Sequence, residues 1–206
     1  MRTSRRVVAG LAATTALAAS VAGCGGNKSS SPSSATTSTT SAPSSAPAMS
    51  VPAQPTDYTS LLIQATAIDA PPPNTFTASP PTNNPNGQPG VATTFSTADA
   101  SHAIKDTIQV LNDPGAATNA LNAAKGGLGN AVKDVRTEAA PVGTGGTAAT
   151  GHSPDGSNGV AILLFTEGKA FVTLEFDGPT ELLPPPEFVT DIGQKQDDAV
   201  KKGLGG

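Results

Sequence analysis

The chain of 206 residues contains a single cysteine, Cys24. No disulfide can form within it, and no set of thiolates can hold a metal. Tryptophan is absent, tyrosine occurs once and phenylalanine six times. Basic residues are few as well: 12 Lys+Arg against 16 Asp+Glu, a net charge of −4. They are dispersed, so there is no basic face of the kind that nucleic acid requires, nor a polybasic patch for anionic lipid. Only two histidines, His102 and His152, are present. No cofactor motif is recognisable. What is plentiful is Ala, Gly, Thr and Pro, a bias that fits a high-GC genome.

The amino terminus carries an address. Arg2, Arg5 and Arg6 precede an apolar run from Val7 to Val21. A charged start, a short apolar stretch and small residues at a cut site predict a secretory signal over 1–23. The run is too short and too poor in large side chains for a membrane-spanning helix. Val21-Ala22-Gly23-Cys24 resembles the bacterial lipobox at all four positions. That resemblance implies cleavage before Cys24, acylation of its thiol, and anchoring to the outer face of the cell membrane. More than one acyl chain on one residue is what stable anchoring needs. Loss of the three arginines leaves about −7 on the mature chain, which favours solubility.

Residues 24–56 then read as the lipidated cysteine and a tether. From 25 onward they are mostly Ser, Thr, Pro and Ala with almost no charge, and Met49 and Val51 are the only large apolar side chains. Such a stretch cannot bury enough surface to offset its ordering entropy, so disorder is expected. Its 32 residues would span roughly 30 Å as a flexible coil and about 100 Å if extended.

Residues 57–206 predict one α+β domain. Val160–Phe165 is a nearly continuous apolar run, as expected of a central strand covered on both faces. Across a Glu167-Gly168 turn, Ala170, Val172, Leu174 and Phe176 repeat with period two. Strands are also expected at 91–96, 103–111, 132–140 and 146–151; in the second of these Asp106 falls on the apolar side. Asp113-Pro114 opens a helix, with an acidic cap and proline at the first position. Ala117, Ala120, Leu121 and Ala124 would form its buried stripe, and Gly126-Gly127 would end it. Ser153-Pro154-Asp155-Gly156 is a turn. A last helix follows Pro184-Pro185-Pro186, with Val189, Ile192, Gln196, Ala199 and Val200 near helical spacing. The expectation is an antiparallel sheet of about five or six strands, with two main helices, about 114–126 and 186–203, packed on one face.

A lipobox, a Thr/Ser/Pro tether and an α+β domain of this size together resemble mycobacterial cell-envelope lipoproteins. Leu61-Leu62-Ile63 before a Pro-rich loop, and the 170–176 strand running into a helix with Gln194-Lys195-Gln196-Asp197, resemble the two ends of the extracellular sensor domain of PknH-type serine/threonine kinases. That family carries disulfide cysteines in the domain and this chain has none there. The resemblance implies a sensor-like module that binds a ligand or partner, without catalytic residues.

The residues themselves offer little catalytic chemistry. His102 reads as an exposed strand-end histidine. His152 is followed by Ser153 and Asp155, but no Gly-x-Ser-x-Gly elbow accompanies them. Gly143-Thr144-Gly145-Gly146 lacks the Gly-Lys-Ser/Thr ending of a phosphate loop. Asp197 and Asp198 diverge around their helix. Glu138, Glu167, Glu175 and Glu181 lie in separate segments. No catalytic or metal-binding set is expected. The Pro-rich stretch 71–89 is the candidate binding loop, with Pro73, Phe76, Asn83, Asn84 and Asn86, because a long stiff loop in a compact domain is often functional; a belt over a sheet edge would also use those prolines. Leu182-Leu183-Pro184-Pro185-Pro186 is a second, apolar lip. Three functions follow: a non-catalytic envelope module binding a protein partner or envelope ligand, a lipid or glycolipid carrier with an apolar cavity, and a hydrolase using His152.

Overall fold

The structure, a computed structural model, describes residues 57–70, 72 and 74–205. The signal, the lipobox residues Val21, Ala22, Gly23 and Cys24, the tether to 56, and Pro73 lie outside the described residues. Among the described residues, no helix is long and apolar enough to cross a membrane.

The class is α+β, with one antiparallel sheet of eight strands rather than five or six. The strands are β1 (Phe76–Ala78), β2 (Thr82–Asn83), β3 (Gly90–Thr97), β4 (Ala103–Val110), β5 (Lys133–Ala139), β6 (Thr144–His152), β7 (Asn158–Glu167) and β8 (Ala170–Pro179). Two α-helices, α1 (Pro114–Ala131) and α2 (Pro186–Gly203), complete the frame with three short 3-10 turns. The spatial order is β1-β3-β4-β8-β7-β6-β5, and β2 also pairs with β3. The two extra strands come from the Pro-rich stretch. Both pair with β3 and cover its edge, which is how a sheet edge is protected from further pairing.

The helices lie on opposite faces, which corrects the one-face expectation. On β7, Val160, Ile162 and Leu164 join Leu121 and Leu128 of α1 in one core. The alternate residues Ala161, Leu163 and Phe165 join Val189, Ile192 and Val200 of α2 in the other. Side chains of a strand alternate between faces. The continuous apolar run of β7 therefore serves two helices. α2 comes especially close at Gly193, where a Cβ would lie 2.4 Å from Leu163 Cδ2.

α1 begins as expected. The Asp113 carboxylate accepts from Ala116 N at 2.8 Å, and Pro114 takes the first position. It does not stop at Gly126-Gly127 but runs to Ala131. Each glycine inside a helix costs about 1 kcal/mol. Carrying the helix on buries Leu128 and Val132, and a buried aliphatic side chain returns about 1.5–3 kcal/mol. Burial outweighs the glycines.

The segment before β1 packs against α2. Tyr58, Leu61, Ile63 and Ile68 are buried in the α2-side core. A buried polar side chain ties this contact: Gln196, fully buried on α2, accepts from Ile63 N at 3.1 Å and donates to Leu61 O at 2.6 Å.

Candidate functional site

At the end of the sheet where β4 begins and β8 finishes, α2 starts and leaves a cavity of about 670 Å3. Its floor is Ile104 and Phe176, both buried. Phe76 of β1 and Phe188 of α2 form walls, and Phe188 meets Phe176 edge-on with ring centroids 6.0 Å apart. Leu182 and Leu183 stand at the mouth, 62% and 45% exposed. They are the large apolar side chains that the described surface leaves in water. A shorter hollow of about 320 Å3 lies beside the same Leu183–Pro186 segment, against Arg136 and Glu138 of β5.

Polar groups ring the larger cavity. Asp69, Asp177, Glu187, Asp191 and His102 line it. Lys195 bridges Asp69 at 2.7 Å and Asp191 at 2.8 Å. Those two carboxylates, Asp191 first, hold its ammonium above the ordinary lysine range. Lys105 bridges Glu175 and Asp177 at 2.7 and 2.8 Å. Partial burial opposes its charge, yet the hydrogen bonds it donates to Asp177 and Glu175 outweigh that and raise it. His102 lies against the backbone of β8, where Gly178 makes room: a Cβ there would sit 3.3 Å from His102 Cδ2.

The orientation of His102 is set by its neighbours. Asp99 accepts from Thr97 Oγ1 at 2.7 Å, from Ser101 N at 3.1 Å and from Ser101 Oγ at 2.8 Å. The Thr97 bond first, then those from Ser101, lower Asp99 to about 2, so it is an acceptor only. The one hydroxyl hydrogen of Ser101 is thus committed to Asp99. Ser101 Oγ also lies 2.9 Å from His102 Nδ1, and in that bond Nδ1 must donate. In the neutral ring Nε2 is then left as an acceptor.

The residues singled out from the sequence fall in different places. Phe76 lines the cavity. Asn83 is a clamp, accepting from Tyr58 N at 2.8 Å and donating to Asp57 at 3.3 Å. Asn84 and Asn86 are exposed and adopt positive φ, 51° and 55°, which is turn chemistry. The stretch 71–89 is therefore mostly an edge belt, with Phe76 its contribution to the cavity. The Leu182–Pro186 lip forms the cavity's mouth.

His152 does not join its neighbours in a relay. Ser153 Oγ donates to Asp155 at 2.6 Å and accepts from Asn158 N at 3.0 Å. Those bonds close the turn between β6 and β7, and among the described residues no hydrogen bond links His152 to either side chain. The Ser153 bond and those from Ser157 lower Asp155 to about 2. Elsewhere, Lys201 pairs with Asp197 and lies 3.9 Å from Glu167; burial, then Asp197, push Glu167 up. Among the described residues, no group of three or more His, Cys, Asp or Glu stands together to hold a metal ion.

Sequence reasoning missed His102 and the carboxylates as rim residues. They come from four separate segments, and only Glu187 and Asp191, one turn apart on α2, are joined by a local spacing. The only local signal was the exposed Leu182-Leu183 pair beside a proline run. The chain matches no family model, no curated protein and no solved structure.

Proposed function

We propose that this protein is a lipid-anchored lipoprotein of the bacterial cell envelope, exported and held at the outer face of the membrane through Cys24. Its sensor-like domain is a non-catalytic module that binds an apolar envelope ligand at the end of the sheet. The cavity of about 670 Å3 between Phe76, Phe176 and Phe188 carries this reading. A concave, mostly apolar site with a few convergent polar groups is the usual form of a small-ligand site. Its volume lies within the roughly 300–1,000 Å3 typical of such sites. The exposed leucines at its mouth favour the ligand-carrying reading over a purely structural hollow. Lipid anchoring would place the mouth within reach of membrane and cell-wall amphiphiles.

Capture of a protein segment by Leu182 and Leu183 is the second reading, supported by their exposure. Native mass spectrometry of the full chain, purified from its own envelope, separates the two. The expected result is a retained mass in the lipid range that denaturation releases and that Phe188→Asp abolishes. A bare mass, with no uptake of an added apolar probe, would sink the ligand reading and leave the protein partner.

A further inference from the structure

The cavity's rim is rich in acceptors, beside the Asn74 amide, which can both donate and accept. Asp69, Asp177, Glu187 and Asp191 line it, and among the described lining residues there is neither lysine nor arginine. The two lysines nearby are already engaged. Lys195 gives its three N–H groups to Asp69, to Asp191 and to Ala67 O at 2.9 Å, and an ammonium has only three. Lys105 is shared between Glu175 and Asp177. Lys105, Glu175 and Asp177 alternate with the floor residues Ile104 and Phe176, so their side chains turn to the α1 face of the sheet. On the cavity side three carboxylates (Asp69, Glu187, Asp191) meet the one ammonium of Lys195, a surplus of two negative charges. His102 adds Nε2, the acceptor left over once Ser101 and Asp99 have engaged Nδ1.

One feature opposes this pattern. α2 starts at the rim without a side-chain cap, and a helix N-terminus favours anions. Its field amounts to about half a positive charge. Glu187 already occupies the first turn, and the surplus of two outweighs the remainder.

We propose that the cavity takes an amphiphile whose head group donates hydrogen bonds and carries no negative charge. This rests on the cavity being a ligand site, as above. The apolar body lies against Phe76, Phe176 and Phe188, and the head meets the carboxylates and His102 Nε2. An amine and a polyol head both have this chemistry. Phosphate and carboxylate heads do not, since they bring acceptors and charge to a rim that already has both.

The test uses the full chain carrying Cys24→Ser, purified without detergent, and isothermal titration with three ligands of one chain length below their micelle concentrations. Dodecylamine and dodecyl maltoside are expected to bind at least tenfold more tightly than dodecyl phosphate. Tighter binding of the amine points to a cationic head, and tighter binding of the maltoside to a polyol. Glu187→Lys alters an exposed position and leaves the apolar walls intact. It is expected to weaken the amine several-fold and to strengthen the phosphate. Dodecyl phosphate binding as tightly as the better of the other two, or a Glu187→Lys variant with an unchanged preference, overturns the head-group inference while the cavity remains a ligand site. No binding by any of the three overturns both.

Discussion

Gln196 Nε2 donates to the carbonyl of Leu61 at 2.6 Å, across 135 residues of sequence. The same side chain accepts from Ile63 N. Its amide thus supplies the backbone partners that a neighbouring strand would supply in a sheet. Gln196→Met keeps the bulk and removes both bonds, leaving a buried N–H and C=O unpaired. The expected loss is about 3 kcal/mol, read as a lower denaturant midpoint with an unchanged slope.

Asp106 gives the domain a pH dependence of unusual sign. It is 0% exposed, and neither carboxylate oxygen has a hydrogen-bond partner. Thr93 and Leu174 flank it across the sheet, and Thr93 Oγ1 is engaged by Ser79 O. Burial pushes its carboxyl up from 3.8 to about 8. The folded state therefore keeps a proton that the unfolded chain releases near pH 4. This contribution to stability is complete below that value and declines until about pH 8. Each pH unit of that window is worth about 1.4 kcal/mol. Asp106→Asn is expected to flatten the decline and to be more stable than the parent at pH 7.5, by on the order of 3 kcal/mol. Equal slopes of melting temperature against pH for parent and variant would show that the carboxyl is not buried as described.

Leu182 and Leu183 are exposed, so the fold does not depend on them. Replacing both with serine should change stability by less than about 0.5 kcal/mol. Uptake of an apolar probe by the same protein should fall about tenfold, as expected from about 1.4 kcal/mol of lost apolar contact. Unchanged uptake would place the ligand elsewhere.

Cys24→Ser tests the anchor. The parent is expected to incorporate labelled palmitate and to sediment with membranes. The variant should lose the label, because the thiol that would carry the acyl chains is gone.

Part of the architecture was legible along the chain because its causes are local. Asp113-Pro114 opens α1 through one side chain and one fixed φ, and both act within a turn of helix. Ser153–Gly156 closes the hairpin between β6 and β7 through bonds among near neighbours. The period-two pattern of 170–176 named a strand, and the apolar run at 160–165 named a central one. The bound of α2 at 186–203 followed from its prolines and its apolar spacing.

What escaped the sequence depends on residues far apart in it. Gly126-Gly127 looked like a stop, and only the core beneath Leu128 carries α1 past it. The short strands β1 and β2 exist because β3 offers them an open edge. The cavity gathers β1, β4, β8, the lip and the start of α2, and no spacing announces such a meeting. The sequence by itself determined six of the eight strands, the cap of α1, the turn at 153–156 and the lipobox resemblance, because each is decided by neighbours within a few residues. Only the tertiary structure decided which face each helix takes, that Asp106 is sealed beside Leu174 on the α2 side of the sheet, and where the rim's acceptors converge. Those outcomes turn on which buried surfaces meet, and that is a property of the whole chain.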